Sequence, residues 1–563
     1  MINQLDKVKE TINAFLKDLS PKNVAALIYG SFAGMYADNK AAIDVLVIAE
    51  TNKLTLRSHL KRFNSRRIRF LIVDEKTFER DLEDEWLGGI LAENIITPYD
   101  PLLNENYLWS QEVKAKKKLI NETINNLILG FPEMSKNFLM KPEYFMFEVM
   151  MRRAILFPPI TYRFLNVTRR DLWERNRSLM MKGFNAAIKE LMDEGKLQLI
   201  DSEFIKISED YAAEEKNFSR LTSLLESARI RIVRYALGII PNIMDSLLDD
   251  YKLYRAYFAR DNYVEAPIYK LENPKKYIFI PTASGIIPFT EKITINEFIR
   301  SHMPKTYSFK YDIKRIGGVL NSVYLLKFTK RESEEKVVVK VFKDWYGWKW
   351  FPLALWALGT KGFAVLGKSR LEREYSLNIF LSSKGINVPK IICVSPEEKI
   401  IFQEYIDGVD ASKIIKQLYM GVKNREEELL KIIRKIGCEI AKIHSLGISV
   451  GDCKPENIIF ASDGRIFFVD LEQADKGGDQ AWDIAEFLYY SGHYALFPPT
   501  SIVRKVTREF LLGYIESGGR IENIKRALSP RYIKVFSFFT PPHLIAIISS
   551  ECRKMLKGDI TLV

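Results

Sequence analysis

Apolar positions first recur at helical spacing in this chain: Leu5, Val8, Ile12, Phe15 and Leu16. They then close up into three strand-length runs, Val24–Tyr29, "IDVLVIA" (43–49) and "IRFLIVD" (68–74). The Pro-containing segment "IITPYDPLL" (95–103) ends this stretch, so a small α/β domain is predicted over residues 1–110. From 111 to 295 the spacing is mostly helical. Within it, residues 179–211 predict an amphipathic helix ending at Gly195, then two short strands, Leu197–Ile200 and Phe204–Ile207. Beyond 296 the period returns to two. "YDIKRIGGVLNSVYLLKF" and "KVVVKVFKDW" predict strand, turn, strand and a third strand. A helix near 370–384, strands near 390–394 and 400–405, and further helices follow. The fold class predicted is multidomain α+β.

Helix followed by hairpin is the outline of a winged helix, here over 150–211, although the mixed charge of the segment gives little reason to expect DNA contact. The 563 residues are enough for three or four domains. A net charge of +13 favours acidic partners such as nucleotides or nucleic acid, yet no contiguous single-sign run exceeds Lys116–Lys118. Four scattered cysteines and five histidines show neither disulfide nor zinc spacing. The polar start "MINQLDKVKE" and the lack of a long apolar run predict a cytoplasmic protein without a transmembrane segment.

The chemistry concentrates in the C-terminal half. In "ISVGDCKPENIIF" (448–460), Asp452 and Asn457 are five residues apart with Lys454 between them. The strand-like "GRIFFVD" then ends at Asp470. Transfer of a phosphoryl group needs a proton acceptor, a cation on the phosphates and oxygen ligands for Mg²⁺. Asp452 fits the first role, Lys454 the second, and Asn457 with Asp470 the metal. Upstream, Gly317-Gly318 would let backbone N–H groups approach phosphates. Lys340 lies inside the apolar run Val337–Val341, where a lysine needs a partner for its charge. Glu374 is the preferred partner and Glu372 the runner-up. "IIFQEYIDGVD" (400–410) reads as a strand entering a linker, with backbone near Glu404–Ile406 placed to meet adenine.

These motifs, in this order, resemble the protein-kinase-like superfamily, closest in style to the atypical RIO-type kinases and the small kinase of the archaeal KEOPS complex. The resemblance implies a bilobal domain, with an N-lobe over 296–406 and a C-lobe over 407–563. It implies ATP and Mg²⁺ as cofactors and a protein serine/threonine hydroxyl as acceptor. Two rival functions keep the same residues: a small-molecule phosphotransferase of aminoglycoside or sugar type, and an RNA-associated ATPase switch. "DLEQA" (470–474) stands where many kinases have D-F-G, and no A-P-E follows. The activation segment is therefore nearly absent. Asp483 matches the buried aspartate that ties the next helix to the catalytic loop.

"YGSFAGMYADNKAAIDVLVIAE" (29–50) resembles the nucleotidyltransferase superfamily, which sets two acids two residues apart on one strand face for two metal ions. Here Asp44 is followed by Leu46, and Arg69 and Leu71 occupy the third strand, so this domain is expected to be inactive. The insertion 344–363 holds four of the eight tryptophans and is expected to cap the small lobe or the N-terminal half, the alternative being a membrane-surface or nucleic-acid contact.

Overall fold

A computed structural model describes residues 23–38, 41–51, 53–63, 66–214, 270–302, 310–317, 321–330, 333–344, 366–421, 423–495 and 497–557, with the single positions 10, 12, 16, 233 and 364. Gly318, most of the tryptophan-rich insertion and Leu5, Val8 and Phe15 lie outside the described residues. The chain divides into two compact units, Met1–Phe279 and Ile280–Val563. Among the described residues no helix is long and apolar enough to cross a membrane.

The first unit is built on a five-stranded sheet: β1 (Asn23–Tyr29), β2 (Ile43–Ala49), β3 (Leu56–Phe63), β4 (Arg66–Asp74) and β5 (Asp100–Leu103). Their order is β3-β4-β2-β1-β5, with β2 parallel to β4 and the other pairs antiparallel. β2 is central, which explains its nearly continuous apolar run: Val45, Leu46, Val47 and Ile48 are all fully buried. Ile12 and Leu16, from the predicted first helix, pack into the same core. The pattern of apolar positions does not announce β3, "LRSHLKRF". Among the described residues it pairs on one side only, and Arg57 and His59–Arg62 are exposed, so no apolar alternation is required.

The α/β segment and part of the helical stretch form one unit rather than two. In the Trp173–Asp193 helix, Arg175 Nη1 donates to Ala33 O (2.9 Å) and Asn176 Nδ2 to Gly34 O (3.1 Å). Buried charges are paired: Arg153 with Glu85 (2.7 Å) and Glu93 (3.3 Å), Lys116 with Glu112 (2.5 Å). The hairpin after this helix forms at Leu197–Ile200 and Phe204–Ile207, as its alternation predicts.

The second unit has a five-stranded antiparallel sheet in the order Lys310–Gly317, Ser322–Lys330, Ser333–Val341, Ile400–Glu404, Ile391–Ser395. One face carries Leu326, Phe328, Val337, Val339 and Phe402 against Phe298 of the Ile295–His302 helix. Phe298 and Phe402 stack at 4.0 Å between ring centroids. Most of the rest is helical, around a large core shared by the Glu426–Ser445, Gln480–Ser491, Thr500–Glu516 and Pro542–Leu556 helices. A small sheet of Gly408–Asp410, Ile458–Ala461 and Ile466–Phe468 presents the loop between 449 and 458.

Candidate active site

Strand alternation sends Val337 and Val339 into the core and turns Lys340 to the opposite face, where it is 5% exposed. Its ammonium is fully partnered. Lys340 Nζ lies 2.7 Å from Glu374 Oε1, 2.7 Å from Val469 O and 3.2 Å from Asp470 Oδ1. Glu374, on the Gly367–Ser383 helix, is thus the partner; Glu372 is buried elsewhere on that helix. The other oxygen of Glu374 accepts the Leu471 N–H at 2.6 Å. Burial alone would lower the Lys340 pKa, but the Asp470 and Glu374 carboxylates outweigh it and hold the ammonium above its ordinary value. Burial raises Glu374, against the pull of Lys340.

The loop carrying Asp452 is held by two carboxylates of the Gln480–Ser491 helix. Asp483 Oδ2 accepts the Val450 N–H and Asp483 Oδ1 the Gly451 N–H, each at 2.7 Å. Glu486 Oε2 accepts the Cys453 N–H at 2.6 Å. Both acids lie three residues apart on one helix face. His444 Nε2 approaches Asp483 Oδ2 at 2.9 Å, and its Nδ1 meets Tyr514 Oη at 2.8 Å. Gly451 has φ +79°, so the glycine is there because the turn is left-handed.

This support sets the side chains. Lys454 Nζ is 2.8 Å from Asp452 Oδ2. Asn457 Nδ2 donates to Asp452 O (3.0 Å) and Oδ2 (2.9 Å). Burial would lower the Lys454 pKa, but Asp452 reverses this and holds it raised. Val469 N–H donates to Asn457 O at 3.0 Å, so Asn457 and the residue before Asp470 are joined through the backbone. Both amide hydrogens of Asn457 are spent on Asp452, which leaves Oδ1 for a cation. With Asp470, that makes two oxygen donors. Among the described residues no cluster of three or more His, Cys, Asp or Glu forms a metal site. Two protein oxygens fit Mg²⁺ that takes its remaining ligands from phosphates and water.

The segment after Asp470 is pinned residue by residue. Leu471 N–H meets Glu374, and Gln473 exchanges hydrogen bonds with the backbone of Ala364 (3.0 and 3.2 Å). Glu472 binds Arg370 Nη1 at 3.2 Å and accepts from Asn321 Nδ2. Arg370 is fully buried; its Nη1 also donates to Asn321 Oδ1 at 2.7 Å and its Nη2 to Lys343 O. Burial, helped by Asp470, pushes Glu472 up to about 7, and Arg370 only partly opposes it. Asn321 directly precedes the Ser322–Lys330 strand. The Asn321–Glu472–Arg370 cluster therefore joins the start of that strand, the Glu374 helix and the segment after Asp470.

Glu404 ends its strand, and its N–H donates to Lys390 O (2.9 Å), so that N–H is not available to an adenine. Ile406 packs with Ala461 and Phe467, beside Ile459 and Val469. Gly317 lies at an exposed strand end. Sequence reasoning missed Glu486, His444 and the Asn321–Glu472–Arg370 cluster. Glu486 had a signal: it is a charge inside the apolar run "AWDIAEFLYY", the same anomaly that singles out Lys340. Arg370 had none, because a helix rich in polar residues hides which one turns inward.

Residues 329–486 match the lipopolysaccharide kinase (Kdo/WaaP) family. The KEOPS complex subunit Bud32 of Pyrococcus abyssi is 32% identical over 159 residues, 27% of this chain and 66% of that protein. A BUD32 homolog of Archaeoglobus fulgidus is 29% identical over 162 residues, 28% of this chain and 73% of that protein. A protein named for tRNA threonylcarbamoyladenosine biosynthesis in Methanobrevibacter smithii is 32% identical over 120 residues, 21% of this chain and 20% of its own length. The chain thus spans just under two thirds of the first of these relatives. The buried Lys340–Glu374 pair, the braced loop at Asp452 and these matches point the same way: this part of the C-terminal unit is similar to kinases of the protein-kinase-like superfamily.

Proposed function

We propose that the chain is an Mg-ATP-dependent serine/threonine protein kinase of the atypical, RIO-like type, which transfers the γ-phosphoryl group of ATP to a hydroxyl. The observation that carries this reading is the convergence of Lys340, Glu374 and Asp470 within 3.2 Å, with Asp452, Lys454 and Asn457 on the braced loop. Lys340, oriented by Glu374, holds the ATP phosphates. Asp452 takes the hydroxyl proton, and Lys454 offsets charge on the moving phosphoryl group. Asn457 Oδ1 and Asp470 would hold Mg²⁺, which neutralises phosphate charge when bound. The backbone near Glu404 and Ile406 receives the adenine, and the strand end at Gly317 approaches the phosphates.

The short segment after Asp470 favours a second acceptor class. It leaves little chain to build a peptide groove, which suits a small hydroxyl compound of sugar or aminoglycoside type. The first unit is best read as a degenerate nucleotidyltransferase-like module used for binding. Arg69 of β4 pairs with Asp44 of β2 at 3.5 Å, directly beside it in the parallel register. A guanidinium thus neutralises the acid where that chemistry wants a metal.

Incubation of the full chain with γ-labelled ATP, alone and with added proteins or aminoglycosides, tests these readings. Label on protein is expected. Label only on the small molecule transfers the assignment to the second class. Asp452→Ala should slow transfer by roughly 10²–10⁴-fold. An unchanged rate would remove Asp452 from the mechanism.

A further inference from the structure

Gln403 is a polar exception in the apolar run "IIFQE" (400–404), and it is 2% exposed. Among the described residues its side-chain oxygen Oε1 is buried without a hydrogen-bond partner. The flanking strands offer none. Gln403 stands opposite Val338 on one side and Ile391 on the other, and neither carries a polar side-chain atom. A buried amide oxygen without a donor is destabilising, whereas an apolar residue of the same shape is close to neutral. Methionine or leucine would therefore serve the core better. The glutamine is explained if a donor arrives from outside the chain.

Strand register says which ligand brings that donor. Val338 and Lys340 lie two residues apart, so they share a face of their strand. Lys340 stands opposite Ile401 and Val338 opposite Gln403. Lys340 and Gln403 are therefore diagonal neighbours on that face, about 7–8 Å apart. Gln403 also precedes Glu404, where the strand ends and the chain enters the linker. It thus lies between the ammonium that meets phosphates in the kinase reading and the backbone that receives the base. Adenine carries an exocyclic amine with two N–H donors, and a linker carbonyl uses only one of them. Guanine and hypoxanthine carry an oxo group in that place, which sets acceptor against acceptor.

We infer that Gln403 Oε1 accepts an N–H from the exocyclic amine of adenine and so sets a preference for ATP over other purine nucleotides. The inference rests on the kinase reading and goes further, from a nucleotide site to a base-selective one. Its test is the affinity of the full-length chain, with Mg²⁺, for three nucleotides: ATP; purine riboside triphosphate, which has hydrogen in place of the amine; and ITP, which has oxygen there. The linker backbone also discriminates among these, so the reading is the change in their ratios when Gln403 is replaced. Gln403→Met keeps the length of the side chain and removes the acceptor. It should bind ATP about fivefold or more weaker than wild type, and purine riboside triphosphate within about twofold of it. Gln403→Leu, which also lacks the acceptor, is measured beside it and carries the test if Gln403→Met does not fold. Without nucleotide the variants should melt no lower than wild type, because an orphaned polar group is gone. A lower melting temperature in both would mean that the oxygen is satisfied inside the fold, and overturns the inference. Equal ratios in wild type and variants overturn it too, since a water then meets Oε1 whatever the base. So does a wild type that binds ITP as tightly as ATP, because the amide then turns its NH₂ to the base. If wild type binds none of the three, the kinase reading falls and the inference with it; nucleotide binding with unchanged ratios removes the inference alone.

Discussion

At the scale of single residues, the site runs on charges buried with their partners already in place. Lys340 is affordable in its strand because Glu374, Val469 O and Asp470 meet it. Glu472 is a pH-sensitive member. Its folded pKa of about 7 stands above an unfolded value of about 4.3. Between these values the folded chain keeps a proton that the unfolded chain has released. The contribution to stability is therefore complete below about pH 4.3 and is lost as pH rises through about 7. Glu472→Gln keeps an amide beside Asn321 but cannot titrate. Urea midpoints at pH 5 and pH 8 should show wild type losing more stability than the variant on going to pH 8. Parallel changes in both proteins would mean that Glu472 is not held protonated by burial.

At the scale of elements, close helix packing supports the catalytic loop from below. The Glu426–Ser445 and Thr500–Glu516 helices meet through two glycines. A Cβ on Gly437 would fall 2.1 Å from Phe510 O, and one on Gly513 would fall 1.9 Å from Arg434 O. His444, at the end of the first helix, reaches Asp483 and Tyr514, so this contact also aligns the brace under Gly451. Gly437→Ala gains up to about 1 kcal/mol of helix propensity. The overpacking should cost more, about 1–3 kcal/mol, with backbone rather than a movable side chain in the way. Gly130→Ala, in a helix where a Cβ meets nothing within 4 Å, is the control and should not destabilise. Thermal melts compare the two; a Gly437→Ala protein as stable as wild type would mean the helices can part freely. The segment 470–473 works at this scale too. With each residue bonded to a different neighbour, it holds the Glu374 helix without an activation loop.

At the scale of the molecule, every residue assigned to phosphoryl transfer belongs to the second unit, Ile280–Val563, which has its own cores. A fragment of residues 280–563 should therefore melt cooperatively and bind ATP with about the affinity of the full chain. A fragment that stays unfolded would show that the first unit completes its core. The sequence by itself determined most of the strand and helix order of this unit from Lys310 on and singled out Lys340, Asp452, Lys454, Asn457 and Asp470 as candidates. Those residues are legible because each is a polar exception in an apolar strand, or belongs to a short loop whose spacing follows from the chemistry. The tertiary structure alone decided between Glu374 and Glu372, since both are buried on one helix and only packing sets which reaches Lys340. It alone assembled the Arg370 cluster from residues 49 to 151 positions apart. It alone set Gln403 beside Lys340, because strand pairing makes neighbours of residues that the chain keeps separate. Periodicity reports which face a residue takes; which residue waits on the other side is a matter of long-range register and packing.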